Sequence, residues 1–434
     1  MKKKIFSILL ALVLVLSFSL VTAVPVAAAD LSVPGTYATI QAAIDAAGPD
    51  DTIIVAAGTY VEDLTIPGTK TNLELVGATG ATIKGVQELD WPNHAPAISI
   101  LASGVKIHGF TIESPDYSRT TGNPHSSGIA VGAANVEIYD NTFVSTDDGT
   151  GNSPGWCTSI ETYGAWAGDA SGLNIHDNTF TSTTGTDKGS EGIYINYNGD
   201  NPDPAGTVTI ADNTFGGQIF RAISTERSKT TISGNTITSS YAPNPAFNAA
   251  LRGIDVFSPD ANQNPSIDTV VITNNSVNGF WQGIRLGDNA ESTTDILTNI
   301  SVTNNTVEMN TTGIRVYVTA NGVVVNNNNI DGNTVYGVDN IDTANTLDAT
   351  SNWWGDASGP DDDAGVINGS GDKISLNVDA GSWLTAPWVP TIPTKADILK
   401  DSGVPGKGLE KAPGQQKPFN PNSKAGEHAG KKDK

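Results

Sequence analysis

The chain has 434 residues, 7% of them aromatic and 16% charged, with 46 glycines and a formal net charge of −22. Once residues 1–29 and the tail from Lys395 are set aside, the body keeps 12 Lys and Arg against 41 Asp and Glu, a balance that repels nucleic-acid phosphates and anionic lipid and so argues against those partners. Cys157 is the single cysteine, which excludes an intrachain disulfide.

Residues 1–29 read as an export signal. Lys2, Lys3 and Lys4 precede an apolar run, and Ala27, Ala28 and Ala29 form a small-residue cleavage site before Asp30. No later run is long enough to span a bilayer, so a secreted or cell-surface monomer is expected. Next, Ile40, Ala43, Ile44 and Ala47 fall at helical spacing before Gly48 and Pro49, which predicts a short amphipathic helix. Strands are predicted at 52–56, 60–66 and 72–76.

Two patterns then alternate. The first is apolar, any, apolar, two polar residues, Asn, any, apolar, as in Val208, Ile210, Asn213, Phe215 and again Val270, Ile272, Asn275, Val277. Its asparagines are Asn141, Asn178, Asn213, Asn235, Asn275, Asn305, Asn328 and Asn352. Alternation marks half-buried strands, and the Asn between them marks a tight turn that tolerates positive φ. The second pattern is a Gly-Ile rung at Gly128, Gly192, Gly253, Gly283 and Gly313, with Ala222 in the same place. Short strands repeating every 20–25 residues without helices indicate a β-solenoid with one coil per period. The early helix is then a lid, because a first coil exposes core and unpaired strand edges.

The segment from Tyr37 to Asp45, with Asp51 to Val55, Gly58 to Glu62 and Leu73 to Gly77, resembles the entry module of right-handed parallel β-helix proteins of the pectin lyase-like superfamily. Asn352-Trp353-Trp354-Gly355, Gly359-Pro360, Trp383 and Trp388 look like the last coil and exit of the same exported group. The resemblance spans residues 33 to 390 and implies an all-β, single-stranded right-handed parallel β-helix over 30–390, with a short N-terminal capping helix. Signatures of pectinesterases, pectate lyases and polygalacturonases are not intact; Asp147-Asp148 only superficially matches the last. No catalytic role is carried over. Residues 391–434 turn to Pro, Gly, Lys and Gln, and are expected to form a disordered basic tail.

Within each rung the Ile and the residue two later are expected inward, and the Gly and the residue between them outward. Coils about 4.8 Å apart then align Ala130, Glu161, Tyr194, Ser224, Asp255, Arg285, Arg315 and Asp339 in one column, with Glu191, Arg221, Arg252 and Gln282 at the turn into the strand. Four of the body's few basic residues meet on this strand. Insertions flank the same strand at 113–126, 144–157, 181–190, 196–206, 239–250, 257–268 and 287–298. Inserted loops of a solenoid crowd its binding face, and these would wall a groove with Tyr194, Ser224, Asp255 and Arg285 on its floor and Tyr117, Trp156, Tyr163, Trp166, Tyr197, Tyr241, Phe247 and Phe257 on its rims.

Rings stack on sugars and Arg pairs with uronate carboxylates, so the groove is expected to bind an extracellular acidic polysaccharide. The candidate catalytic residues are Asp255, Arg252, Arg285 and Glu191; the candidate binding residues are Tyr194, Arg221, Arg315, Trp156 and Trp166. Asp255 with Glu191 or Glu161 fits paired-carboxylate hydrolysis, whereas an Arg or Lys base with calcium fits proton abstraction beside a uronate carboxyl. A noncatalytic adhesive or matrix solenoid, its charges forming a surface ion-pair ladder, stays open beside the enzyme. The turns around Asp147 and Asp361 are candidate Ca2+ loops. His108 and His176 occupy equivalent positions, but Tyr139 intervenes and about 9.6 Å of stacking separates them, too far for one transition metal. The asparagines are expected to form an amide ladder, and Ile112, Phe143, Phe180, Phe215, Ile237, Val277, Val307, Ile330 and Trp354 a core column.

Overall fold

A computed structural model describes residues 30–86, 89–90, 95–114, 124–145, 156–162, 170–182, 190–196, 206–240, 251–257, 266–287, 296–317 and 322–389. Of these, 30–385 belong to one unit and 386–389 to a second. The predicted signal, the tail 391–434 and much of the inserted sequence lie outside the described residues.

A coil from the middle of the solenoid lays down three strands in turn. Val208–Ala211 enters sheet A, Thr214–Gly217 sheet B and Ile219–Thr225 sheet C, and Thr230–Ser233 then returns to sheet A beside Val208–Ala211. Among the described residues, sheets A and C hold 13 strands each and sheet B ten. Named strands pair in parallel, except that Leu89–Asp90 runs antiparallel to Pro124–Val131. This is the expected right-handed parallel β-helix, the handedness that crossovers between parallel strands adopt. The predicted strand at 60–66 is two strands: Gly58–Val61 joins sheet B and Leu64–Ile66 joins sheet C.

The lid is helix Ile40–Ala46, which buries Ile40, Ala43 and Ile44. Thr39 caps it by accepting from Ala42 N. Glu62, from the first coil, accepts the N–H groups of Ile40 and Gln41 at 3.0 and 3.1 Å, satisfying donors that a helix start leaves unpaired. One carboxylate therefore both caps the helix and docks it on the solenoid.

The amide ladder runs unbroken from Asn141 to Asn352. Each Nδ2 donates to the Oδ1 of the next asparagine at 2.9–3.2 Å. The same Oδ1 accepts the preceding asparagine's backbone N–H, and each Nδ2 also reaches backbone carbonyls, as Asn235 does to Ile210 O and Ser233 O. The asparagines spend their amides on this ladder, and the positive φ falls on the residue before: Asp140, Asp177, Asp212, Gly234, Asn274, Asn304, Asn327 and Ser351. Beneath it, the rings of Phe143, Phe180 and Phe215 stack at 4.8 and 4.5 Å, and Ile237, Val277, Val307 and Ile330 continue their register.

The rung glycines face inward, contrary to expectation. A Cβ on Gly253 would lie 2.4 Å from Val277 Cγ1 and 2.5 Å from Gly283 O, and one on Gly192 2.6 Å from the Phe215 ring. The strand therefore points two successive positions at the core and keeps the rung residues before and after them on the outside. A second, shorter ladder escaped the repeat pattern: Asn310 Nδ2 donates to Asn333 Oδ1, and Asn333 Nδ2 to Asp372 Oδ2.

Candidate functional site

Parallel pairing in sheet C carries one outward column of side chains from coil to coil. Ala130 pairs with Glu161, Glu161 with Tyr194, Tyr194 with Ser224, Ser224 with Asp255, Asp255 with Arg285, Arg285 with Arg315 and Arg315 with Asp339. Three residues upstream a second column runs Thr158, Glu191, Arg221, Arg252, Gln282, Thr312. A β-bulge between Ser190 and Glu191 brings Glu191 into line with Arg221.

The two columns meet in an ion cluster. Arg285 donates from Nε to Asp255 Oδ1 at 2.6 Å and from Nη2 to Oδ2 at 3.0 Å, while Arg252 Nη1 reaches Oδ2 at 2.8 Å. Asp255 is fully buried. Burial by itself would raise its pKa, but Arg285 and Arg252 outweigh it and hold the carboxyl below the usual range. Arg252 is shifted down by burial, against the pull of Asp255 and with the push of Arg285 and Arg221. Arg221 pairs with Glu191 at 2.9 Å, and Glu191 also accepts from Thr158 Oγ1. Arg315 faces Asp339 at 3.3 Å, and burial raises the Asp339 pKa despite that neighbour.

Sequence reasoning missed Glu226. Tyr194 donates its hydroxyl to Glu226 Oε1 at 2.6 Å and accepts from Asn196 Nδ2 at 3.0 Å. Burial, with Glu226 adding, pushes the Tyr194 phenol well above its ordinary pKa, so it stays protonated. The available signal was coil length: the step from Asn213 to Asn235 is the shortest, and its strand passes straight into the turn that begins at Glu226. Rings flank the cluster as well, with Arg285 over Phe257 at 5.3 Å, Arg221 over Phe220 at 5.7 Å, and Phe257 nearly parallel to Tyr194 at 6.5 Å.

The structure thus brings Asp255, Arg252 and Arg285 together, but Glu191 lies two coils from Asp255. That is about 9.6 Å along the axis before any sideways offset, at or beyond the 6.5–9.5 Å separation of an inverting glycosidase's carboxylates. Each carboxylate instead serves an arginine. Trp156 starts a strand in register with His125, but its side chain lies outside the described residues. So do Tyr117, Tyr163, Trp166, Tyr197, Tyr241 and Phe247, and the Asp147 turn.

Of the other candidates, Asp362 accepts backbone N–H groups of Val366 and Ile367, and Asp363 pairs with Lys373 and Tyr336. Among the described residues no group of three or more His, Cys, Asp or Glu is placed to hold a metal ion. On sheet A the Tyr139 ring sits between His108 and His176, stacked at 4.5 and 5.1 Å.

Residues 163–353 match the family profile described as a right handed beta helix region. No curated sequence matches the chain. Among solved structures, the chain is similar to an alginate lyase from a Paenibacillus species at 14% identity, covering 81% of this chain and 99% of that one with a TM-score of 0.32. It is similar to the A-module of a mannuronan C-5 epimerase from Azotobacter vinelandii at 14%, covering 80% and 94% with a TM-score of 0.34. A surface adhesin of Streptococcus pneumoniae shares 15%, with 82% and 91% covered and a TM-score of 0.42.

Proposed function

We propose, from the premise that this is a right-handed parallel β-helix protein with the fold of the pectin lyase-like superfamily, that it is exported and holds an extended acidic polysaccharide on the outer face of sheet C without cleaving it. The observation that carries this reading is the Asp255 cluster. Four arginines share one sheet face, and a single buried carboxylate serves both Arg252 and Arg285. With Arg252 and Arg285 held in the floor by that carboxylate, the more exposed Arg221 and Arg315 are the guanidinium groups that meet sugar carboxylates.

The same cluster speaks against Asp255 as a general acid or base. Both its oxygens accept from guanidinium groups, and its pKa is pushed away from neutrality rather than toward it. Tyr194 is kept protonated with its single O–H spent on Glu226, so it is no general base either. Fold alone gives no licence for activity, so the reading rests on these side chains. No described helix is long and apolar enough to cross a membrane, which suits an exported protein, as does the leader-like sequence of 1–29.

The test is a panel of acidic and neutral polysaccharides, with and without calcium, scored for binding and for release of unsaturated or reducing ends. Binding of an acidic polymer without release is expected, and Arg221→Ala should weaken it. Release of new ends makes the protein an enzyme and overturns the noncatalytic part of the reading. Failure of every polymer to bind overturns the whole.

A further inference from the structure

The acceptor pattern for N-linked sugar is Asn, any residue but Pro, then Ser or Thr. It occurs at Asn274, Asn299, Asn304, Asn310 and Asn368. The attached group is bulky and solubilising and belongs on the surface.

The fold separates the five. Asn310 is 1% exposed and spends its Nδ2 on Val277 O, Glu308 O and Asn333 Oδ1. Asn299 donates its amide to Asp268 Oδ1 at 2.7 Å. Asn274 and Asn304 follow the paired residues Thr273 and Thr303 at one corner of adjacent coils, where about 4.8 Å of stacking leaves no room for two oligosaccharides. Asn368 differs. It is exposed, and its amide makes no hydrogen bond to the described residues; Ser370, two residues on, is exposed as well.

The place of Asn368 in the fold gives a sugar something to do. Pro360–Asp362 is the last strand of sheet C. Asp361 pairs in parallel with Lys373 on one side and antiparallel with Asn368 on the other. Asp362 N donates to Ile367 O at 3.2 Å, and Gly369 N to Pro360 O at 2.9 Å. Among the described residues, 367–369 is therefore the outermost backbone of that sheet, and the turn leading into it leaves Val366 80% exposed. An open edge beside an exposed apolar side chain is a template for pairing with another chain, which native proteins block.

From these contacts, and resting on the export reading above, we infer that Asn368 is an N-glycan acceptor whose sugar shields the open edge of sheet C. In the transfer, Asn368 Nδ2 loses a proton and bonds the anomeric carbon of an oligosaccharide carried on a lipid diphosphate. The bond from that carbon to the phosphate oxygen breaks, and the lipid diphosphate leaves with the electron pair and takes up the proton. Ser370 supplies the hydroxyl that the transferring enzyme reads.

The test expresses the full chain, and in parallel residues 30–434 behind a host leader, in a cell that N-glycosylates an exported control protein. Intact mass, peptide mapping and light scattering are read for the parent, Asn368→Gln and Ser370→Ala. Both substitutions fall on exposed side chains without hydrogen bonds to the described residues, so circular dichroism should not change. One oligosaccharide mass is expected on the Asn368 peptide of the parent, with complete loss there in either variant. On concentration the variants should self-associate where the parent does not.

A bare Asn368 in the exported chain overturns the inference, whichever other asparagine is occupied. Sugar that survives Ser370→Ala is attached by another route and overturns it too. Sugar at Asn368 with variants as monodisperse as the parent overturns the shielding. Sugar on the host-leader form, with the full chain held inside the cell, supports the acceptor and overturns the export reading. A chain exported by neither leader overturns both.

Discussion

Arg285 grips Asp255 from the adjacent coil through two bonds, Nε to Oδ1 at 2.6 Å and Nη2 to Oδ2 at 3.0 Å, with both residues buried. Asp255→Ala leaves Arg285 and Arg252 facing each other in a buried layer, and breaking a buried ion pair costs about 3–5 kcal/mol. A urea titration should show a loss of that order. The double variant Asp255→Leu with Arg285→Met should recover part of it, since the charge of Arg285 goes with its partner while Arg252 still loses this carboxylate. Losses that simply add across the pair count against this account.

The amide ladder makes a positional prediction. Asn235 accepts from the backbone and side chain of Asn213, and donates to Asn275, Ile210 and Ser233. Asn235→Ala strands several buried groups at about 1–3 kcal/mol each, in the middle of a stack whose coils touch only their neighbours. Asn352, near the end, donates to Val325 and Ala349 and has no asparagine beyond it in the ladder. Asn235→Ala is expected to lower Tm more than Asn352→Ala. Equal losses would mean that the ladder does not act as a coupled column.

Most of this architecture was legible because it repeats. The steps from Asn213 to Asn235, Asn305 to Asn328 and Asn328 to Asn352 set the coil length, and Tyr194, Ser224, Asp255 and Arg285 fell into register once that length was known. What repetition did not convey was local backbone geometry. Alternation put Gly253 outside, but its missing Cβ makes room for Val277 and Gly283 O, a close approach that period-two counting does not register. Glu226 was missed for a related reason: it lies in a turn, where no strand pattern reports which way a side chain points. The second ladder escaped because Asn310 and Asn333 have Asp372, not a third asparagine, as their partner.

Asp372 ends that ladder at a cost. Its Oδ2 accepts the backbone and side-chain N–H groups of Asn333, yet burial raises its pKa, with Asp331 adding to the rise. A carboxylate whose folded pKa lies above its unfolded value stabilises the fold below the unfolded value, and that contribution is lost as pH rises through the folded one. Asp372→Asn keeps an acceptor for Asn333 and removes the buried charge, so Tm at neutral pH should hold or rise. A clear drop would show that the bonds to the ionised carboxylate are worth more to the fold than its burial costs.

His176 offers the cleanest titration. Its Nδ1 lies 2.8 Å from Asp177 Oδ2 and its Nε2 3.2 Å from Glu137 Oε1, with Tyr139 stacked on its ring. Burial disfavours the charged imidazole, but the bonds to Asp177 and Glu137 prevail and raise the pKa above its ordinary value of about 6.5. The stabilisation is full below that ordinary value and is lost as pH rises through the folded one. Lys106 competes for Glu137 at 3.1 Å, while Glu74 pairs with His108 on the far side of Tyr139. Glu137→Gln should therefore move the His176 pKa down in an NMR titration, and Lys106→Met should move it up. A pKa that responds to neither variant would detach His176 from this network and leave the ring stack alone to hold it.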